Sequence, residues 1–266
     1  MRSIYDAVPV PIARWSMDDN AASAVVVDDI GSHNGTYKDG SGNINTSTGS
    51  VPGRINRALD FDGDEYVEVV DHADFSPILT PFSISAWVYM RDASYFILVD
   101  KGTGSDDNEY GFFMNYSKQL HFTISDENTA NCYIARRYEA SLASYENQWI
   151  HVVGTYDGGI LASGIHLYLN GVLLDAKDIS NNEGSFVKVR AGGCNLMIGG
   201  NPGITEYANG LIDNLIIHDN ELTARQARKL ADFRGKESIY GPRQNSIYNT
   251  NKNNSIFGGI KEGCTV

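Results

Sequence analysis

Oxygen-bearing side chains gather at a few places in this sequence. Asp28, Asp29 and Asn34, with the carbonyls of the 31–35 turn, place hard oxygen donors within one short loop, and such donors are what Ca2+ takes. The same side chains suit another task, capping the backbone amides of a tight turn. Asp213 interrupts the apolar stretch 211–218, and a carboxylate buried there needs a cation or backbone amides as its partner. A second acidic run, Ser105-Asp106-Asp107-Asn108-Glu109, reads as a solvated loop. The run 60–64 starts like an EF-hand, but its glycine comes too early and no helix flanks it.

Catalytic constellations are missing from the chain. Glu65, Glu68 and Asp71 are spaced three apart, which throws successive carboxylates to opposite faces of a strand. That spacing does not make a glycosidase acid–nucleophile pair, which needs both groups at one bond. No G-x-S-x-G elbow, phosphate loop or HExxH pair occurs. The expected class is therefore a non-catalytic one. Tyr95, Tyr110, Tyr116, Tyr138 and Tyr207 are candidate platforms for sugar rings, with Asn and Asp side chains bonding the hydroxyls.

Such residues must be held by strands. Apolar and polar residues alternate over 58–61, 66–69, 82–89, 120–124 and 165–169, the period of half-buried antiparallel strands. Turn-forming clusters separate them, and Asn170-Gly171 reads as a type I′ hairpin. Many short strands with frequent turns predict an all-β, two-sheet antiparallel jelly-roll sandwich. Trp15, Trp87 and Trp149 are expected to fill the space between the sheets, and His151 to lie on a sheet face. One short C-terminal helix is expected over 222–233, N-capped by Thr223 and ended near Gly235. The divisions are an N-terminal arm, 1–11, a sandwich, 12–234, and an extended Asn- and Gly-rich tail, 235–266.

With 21 Lys and Arg against 33 Asp and Glu, the chain carries a net charge of −12 over 266 residues. That balance excludes a nucleic-acid partner, whose phosphates require clustered cations. No apolar run approaches the roughly 20 residues of a membrane span, and the N-terminus lacks the features of a signal peptide. Three cysteines, Cys132, Cys194 and Cys264, fit buried thiols or one Cys132–Cys194 bridge.

The order of motifs resembles the LamG-like jelly rolls of the concanavalin A-like lectin and glucanase superfamily. The resemblance is carried by Ala13-Arg14-Trp15, the 27–36 loop, Ala58-Leu59-Asp60-Phe61-Asp62-Gly63, Phe82-Ser83-Ile84-Ser85-Ala86-Trp87-Val88, Trp149-Ile150-His151-Val152-Val153-Gly154, Leu167-Tyr168-Leu169-Asn170-Gly171 and Gly210-Leu211-Ile212-Asp213-Asn214. It implies a structural Ca2+ held by Asp28, Asp29, Asn34 and Asp213. A likeness of the 105–109 run to the calcium-dependent ligand loop of pentraxins implies a binding role for Asp106, Asp107 and Asn108, beside Tyr110 and Tyr207.

The tail repeats a Ser-Ile-aromatic triplet. Ile239-Tyr240, Ile247-Tyr248 and Ile256-Phe257 match Ile4-Tyr5 near the N-terminus, and we expect these residues to anchor the tail on its own domain or on a neighbouring subunit. Two functions are then expected. One is a binding and structural subunit of a larger surface assembly, such as a phage decoration or fibre protein, which also recognises glycans. The other is a secreted or cell-surface calcium-dependent carbohydrate-binding adhesion module. The expected location is extracellular or on a virion surface.

Overall fold

The computed structural model describes residues 7–102, 108–126, 132–179, 186–189, 191–235 and 240. Strands follow one another as β1 (Ala13–Trp15), β2 (Val25–Val26), β3 (Gly35–Asp39), β4 (Gly42–Asn43), β5 (Ser50–Pro52), β6 (Arg57–Phe61) and β7 (Tyr66–Val69). The middle of the chain forms β8 (Phe82–Asp92), β9 (Ile97–Lys101), β10 (Tyr110–Met114), β11 (Leu120–Ser125), β12 (Tyr133–Arg137), β13 (Trp149–Tyr156) and β14 (Ile165–Leu169). The last group is β15 (Val172–Leu173), β16 (Lys177–Asp178), β17 (Leu196–Ile198), β18 (Gly200–Asn201), β19 (Glu206–Tyr207) and β20 (Asn209–His218).

Two antiparallel sheets stack as a sandwich. One has eight strands in the order β15-β14-β13-β8-β20-β6-β5, with β1 also paired to β20. The other has ten, in the order β16-β12-β11-β10-β9-β17-β7-β3-β2, with β4 on β3. The alternation in β8 sends Phe82, Ile84, Ala86, Val88 and Met90 into the core, where they meet Phe112, Phe122 and Ile124 of the facing sheet. The hairpin at Asn170-Gly171 has φ of 50° and 76° at its two central residues, as a type I′ turn demands, and pairs Leu169 with Val172.

Of the tryptophans, only Trp15 joins the core between the sheets. Inward positions in β8 are the even ones, so Trp87 points to the outer face of the eight-stranded sheet. There it lies opposite His151 and under the guanidinium groups of Arg54 and Arg234, 4.7 and 5.6 Å from its ring. Trp149 pairs with Tyr89 on the same outer face. The expectation that both fill the core is corrected by strand parity. His151 does lie on a sheet face, and it is buried there.

That outer face is covered by the C-terminal helix (Ala224–Asp232). Thr223 caps it: its hydroxyl accepts from the Gln226 amide, while the Gln226 side chain accepts from the Thr223 amide, a box that contributes about 1 kcal/mol. Leu222, Ala227 and Leu230 pack with Val153, Tyr168 and Ile216 of the sheet, and Val8 and Tyr240 complete this second cluster. Val8 and Tyr240 form a parallel β-bridge. Of the expected tail anchors, Tyr240 is thus seated on its own domain. Ile4, Tyr5, Ile239, Ile247, Tyr248, Ile256 and Phe257 lie outside the described residues. Cys132 and Cys194 are buried thiols rather than halves of a bridge. Among the described residues no helix is long and apolar enough to cross a membrane.

Candidate functional site

The loop after β2 is built around Asp28. Its Oδ1 accepts from the amides of Arg14 and Ile30, both at 3.0 Å, and its Oδ2 from the amide of His33 at 3.1 Å. Burial opposes the ionised form, but bonds from the Arg14, Ile30, His33 and Gly31 amides outweigh it and hold this carboxyl below its ordinary range. Asn34 Oδ1 accepts from the Asp28 amide at 2.9 Å, and Asp29 lies 3.7 Å from the Arg14 guanidinium. Asp213, fully buried, accepts the Ile55 amide at 2.7 Å, and burial raises it to about 7. These donors are engaged with N–H groups, as in a capped turn. Asp28, Asp29 and Asp213 are not among the acid and imidazole groups that converge within 4.8 Å of one another among the described residues, whereas Ca2+ wants about six to eight oxygens around one point.

The acidic run near 105–109 divides. Asp106 and Asp107 lie outside the described residues. Glu109, just before β10, is fully buried rather than solvated: its amide donates to the Lys101 carbonyl at 2.7 Å and its carboxylate lies beside the Lys101 ammonium. Lys101 Nζ reaches Glu109 Oε1 at 3.0 Å, Asp71 Oδ1 at 2.5 Å and the Cys194 carbonyl at 2.6 Å. Burial raises Glu109, with Lys101 the largest opposing influence. Glu68 is tied to Lys38 and Asn195, and Glu65 to the Asp62 amide. The three carboxylates at 65, 68 and 71 therefore serve three separate contacts.

A cavity of about 350 Å³ opens on the outer face of the ten-stranded sheet. Its floor is made by outward-facing residues of four adjacent strands: Asp100 on β9, Gly111 and Phe113 on β10, His121, Thr123 and Ser125 on β11, and Tyr133 on β12. Register puts Gly111 opposite both Asp100 and Thr123, and Ser125 opposite Tyr133. Because Gly111 has no side chain, the floor is open at its centre; a Cβ there would point at the Phe113 ring, 3.3 Å away.

One side of the groove is aromatic. Tyr116 lies 4.4 Å from Tyr95, Tyr95 lies 5.7 Å from Phe113, and Phe113 lies 5.3 Å from His121, measured between ring centroids. Tyr95 is held with a φ of 51°, a costly conformation for a bulky residue. Tyr116, exposed at the end of the run, donates its hydroxyl to Glu206. Burial and then Arg137 lower His121 to about 4, so its ring is neutral at pH 7. Burial pushes Asp100 up to about 7, against a hydrogen bond from Asn201. Asn108, Thr123 and Ser125 add neutral polar groups, and among the described residues no Lys or Arg lines the cavity.

Of the residues named from the sequence for ligand contact, Tyr95, Asn108 and Tyr110 line the cavity. Tyr110 does not serve as an exposed platform: it is buried, its ring packed 4.9 Å from Phe82, because its strand parity turns it into the core. Tyr207 is half-buried and packs on Tyr66, and Tyr138 packs against the core. Neither lines the groove.

The description "Concanavalin A-like lectin/glucanases superfamily" matches residues 61–228, more than half of the chain. The chain belongs to this superfamily. No curated protein matches it at the level of sequence. Among solved structures, this concanavalin A-like sandwich is similar to domain 4 of AbnA, a GH43 extracellular arabinanase from Geobacillus stearothermophilus, solved with arabinotriose. The TM-score is 0.61 at 20% identity, over 83% of this chain and 98% of that one. It is also similar to the ligand-binding domain of botulinum neurotoxin serotype D, solved with N-acetylneuraminic acid, with a TM-score of 0.57 at 18% identity. A third is the botulinum neurotoxin DC binding domain in complex with rat synaptotagmin II, with a TM-score of 0.56 at 16% identity. Both toxin matches cover 86% of this chain and 52% of the other, so this concanavalin A-like chain spans about half of those domains. Identities this low establish a shared fold.

Asp100, Phe113, His121, Thr123, Ser125 and Tyr133 were not singled out from the sequence. The signal was present in part, since His121, Thr123 and Ser125 are the polar half of an alternating strand. What joins them to Phe113 and Tyr133 is cross-strand register.

Proposed function

We propose that this chain is a non-catalytic carbohydrate-binding module whose outer-sheet groove takes a neutral sugar. The observation that carries the reading is the groove itself: Tyr95 and Phe113, continued by the exposed Tyr116, beside hydroxyl, amide and carboxyl groups, with no cation among the described lining residues. The C–H face of a sugar ring rests on the electron-rich face of an aromatic ring, while Asp100, Asn108, Thr123 and Ser125 fix its hydroxyls. The described lining offers a glycan carboxylate no cation to pair with, which favours uncharged glycans over carboxylated ones. Arabinotriose in one structural neighbour and N-acetylneuraminic acid in another support a carbohydrate ligand; the charge of this groove argues for the former type. A module of this kind works outside the cell or on the surface of a larger particle.

Calorimetric titration with neutral and acidic oligosaccharides tests the reading. Tyr95→Ala and Gly111→Leu should each weaken binding of a neutral oligosaccharide about tenfold or more, equivalent to about 1.4 kcal/mol, with unchanged circular dichroism. Binding that survives Gly111→Leu would remove the groove from consideration.

A second role, as a structural subunit of a surface assembly such as a virion decoration or fibre protein, is supported by Tyr240, a tail aromatic seated in an apolar cluster. Deleting residues 236–266, Tyr240 included, should abolish concentration-dependent association in light scattering while leaving sugar binding intact. A truncated chain that associates as before would leave the tail without an assembly role.

A further inference from the structure

Two of the six histidines meet at the rim of the sandwich, away from the groove. His33 Nε2 lies 3.6 Å from Asp74 Oδ2, and His72 Nδ1 lies 3.3 Å from the same oxygen. The three ligand atoms fall within 4.8 Å of one another. A tetrahedral metal with bonds of about 2.0–2.2 Å holds its ligand atoms about 3.3–3.6 Å apart, so the observed separations are those of a chelating set before the ion enters.

The site is built in advance. His33 is fixed on three sides: its carbonyl accepts from the Trp15 indole at 2.9 Å, its amide donates to Asp28 Oδ2, and its Nδ1 lies 3.3 Å from that same oxygen. With Asp28 Oδ2 3.3 Å from Nδ1 as an acceptor, the Nδ1–H tautomer is favoured and Nε2 is left on the side of Asp74. A carboxylate behind an imidazole in this way is the usual support of a metal-binding histidine. On the other side, the single 3-10 turn Ala73–Phe75 carries Asp74 and follows His72 directly. The Phe75 ring packs edge-on to His33 at 4.8 Å and to His72 at 6.4 Å. His72 Nδ1 accepts the Asp74 amide at a long 3.2 Å, a bond a metal would replace, and the ring is half-exposed.

We propose that His33, His72 and Asp74 form a binding site for a divalent first-row transition metal, zinc in the first instance. Two imidazoles and one carboxylate suit zinc rather than calcium. The ion would fasten the 28–34 loop to the 72–75 turn, with its fourth position open to solvent on the side where His72 and Asp74 are exposed. Asp62, Asp64 and Glu65 also converge within 4.8 Å. They are acidic only, and they supply a control.

The test is titration of zinc chloride into the untagged full chain by calorimetry, paired with thermal unfolding with and without zinc. One zinc per chain should bind with micromolar affinity and raise Tm by several degrees, and excess calcium should not displace it. His72→Ala and Asp74→Asn, both at exposed positions, should weaken zinc at least tenfold and erase the Tm shift, while Asp64→Asn leaves both unchanged. Absence of saturable binding, binding retained in His72→Ala, or loss confined to Asp64→Asn would each overturn the proposal.

Discussion

Lys101→Ala should destabilise the chain by roughly 3–5 kcal/mol, lowering Tm by about 10 °C. Lys101 is fully buried and its ammonium holds Glu109, also fully buried, at 3.0 Å. Taking away the cation strands a carboxylate that has the Gly192 amide at 3.1 Å as a further donor, and an uncompensated buried charge costs more than the pair itself contributes. The comparison that separates these effects is Lys101→Met with Glu109→Gln. With both charges gone, the double variant should recover a large part of what either single change loses. Denaturant unfolding of the four proteins supplies the cycle, and single and double variants that lose stability additively would show that the two side chains do not act as a pair.

The second large effect concerns pH. His151 and His218 are buried on the outer face of the eight-stranded sheet, and each is lowered to about 3, by burial first, with Arg234 adding to it at His151 and the Pro9 carbonyl opposing it at His218. Their folded-state values lie below the unfolded value near 6.5. As pH falls through 6.5 the unfolded chain takes up protons that the folded chain refuses, so stability present above 6.5 is lost on the way down towards 3. Asp100 and Asp213 do the reverse. Burial raises both to about 7, above an unfolded value near 3.9, so the folded chain protonates first and gains stability as pH falls from 7 to about 4. The two pairs oppose each other over one window, and the wild type should change little between pH 6.5 and 4. Asp100→Asn with Asp213→Asn removes one side of the balance while keeping an amide oxygen for the Ile55 N–H. That variant should match or exceed the wild type at pH 7 and lose on the order of 5 kcal/mol by pH 4. Guanidinium unfolding at fixed ionic strength measures it; a flat profile in the variant would remove the histidines from the account.

The strands were legible because burial on one face writes itself into local alternation, as in β8 and β11, and the helix because Thr223 and Gly235 stand at its ends. Which face of a strand is the inner one is not a local property. Trp87 looked like core by size, yet Ile84, Ala86 and Val88 claim the inner face and turn it outward. Glu109 looked solvated among Asp106, Asp107 and Asn108, but the pairing of β10 with β9 brings Lys101, eight residues away, to its side. The groove depends most on information outside any short window, because Asp100, Gly111, Thr123 and Tyr133 become neighbours only through the pairing of four strands. The 28–34 loop allowed two readings, hard oxygens for a cation or caps for turn amides, and the structure shows the amides of Arg14, Ile30 and His33 on Asp28.

The bridge between Val8 and Tyr240 also has a directional meaning. The polypeptide enters and leaves the sandwich side by side, on the face away from the groove. Because the bridge is parallel, pulls applied before residue 8 and after residue 240 act in opposite directions along it, so tension between them shears that bridge before it reaches the sheets. A body held at this bridge turns the grooved face of the ten-stranded sheet outward from whatever holds it.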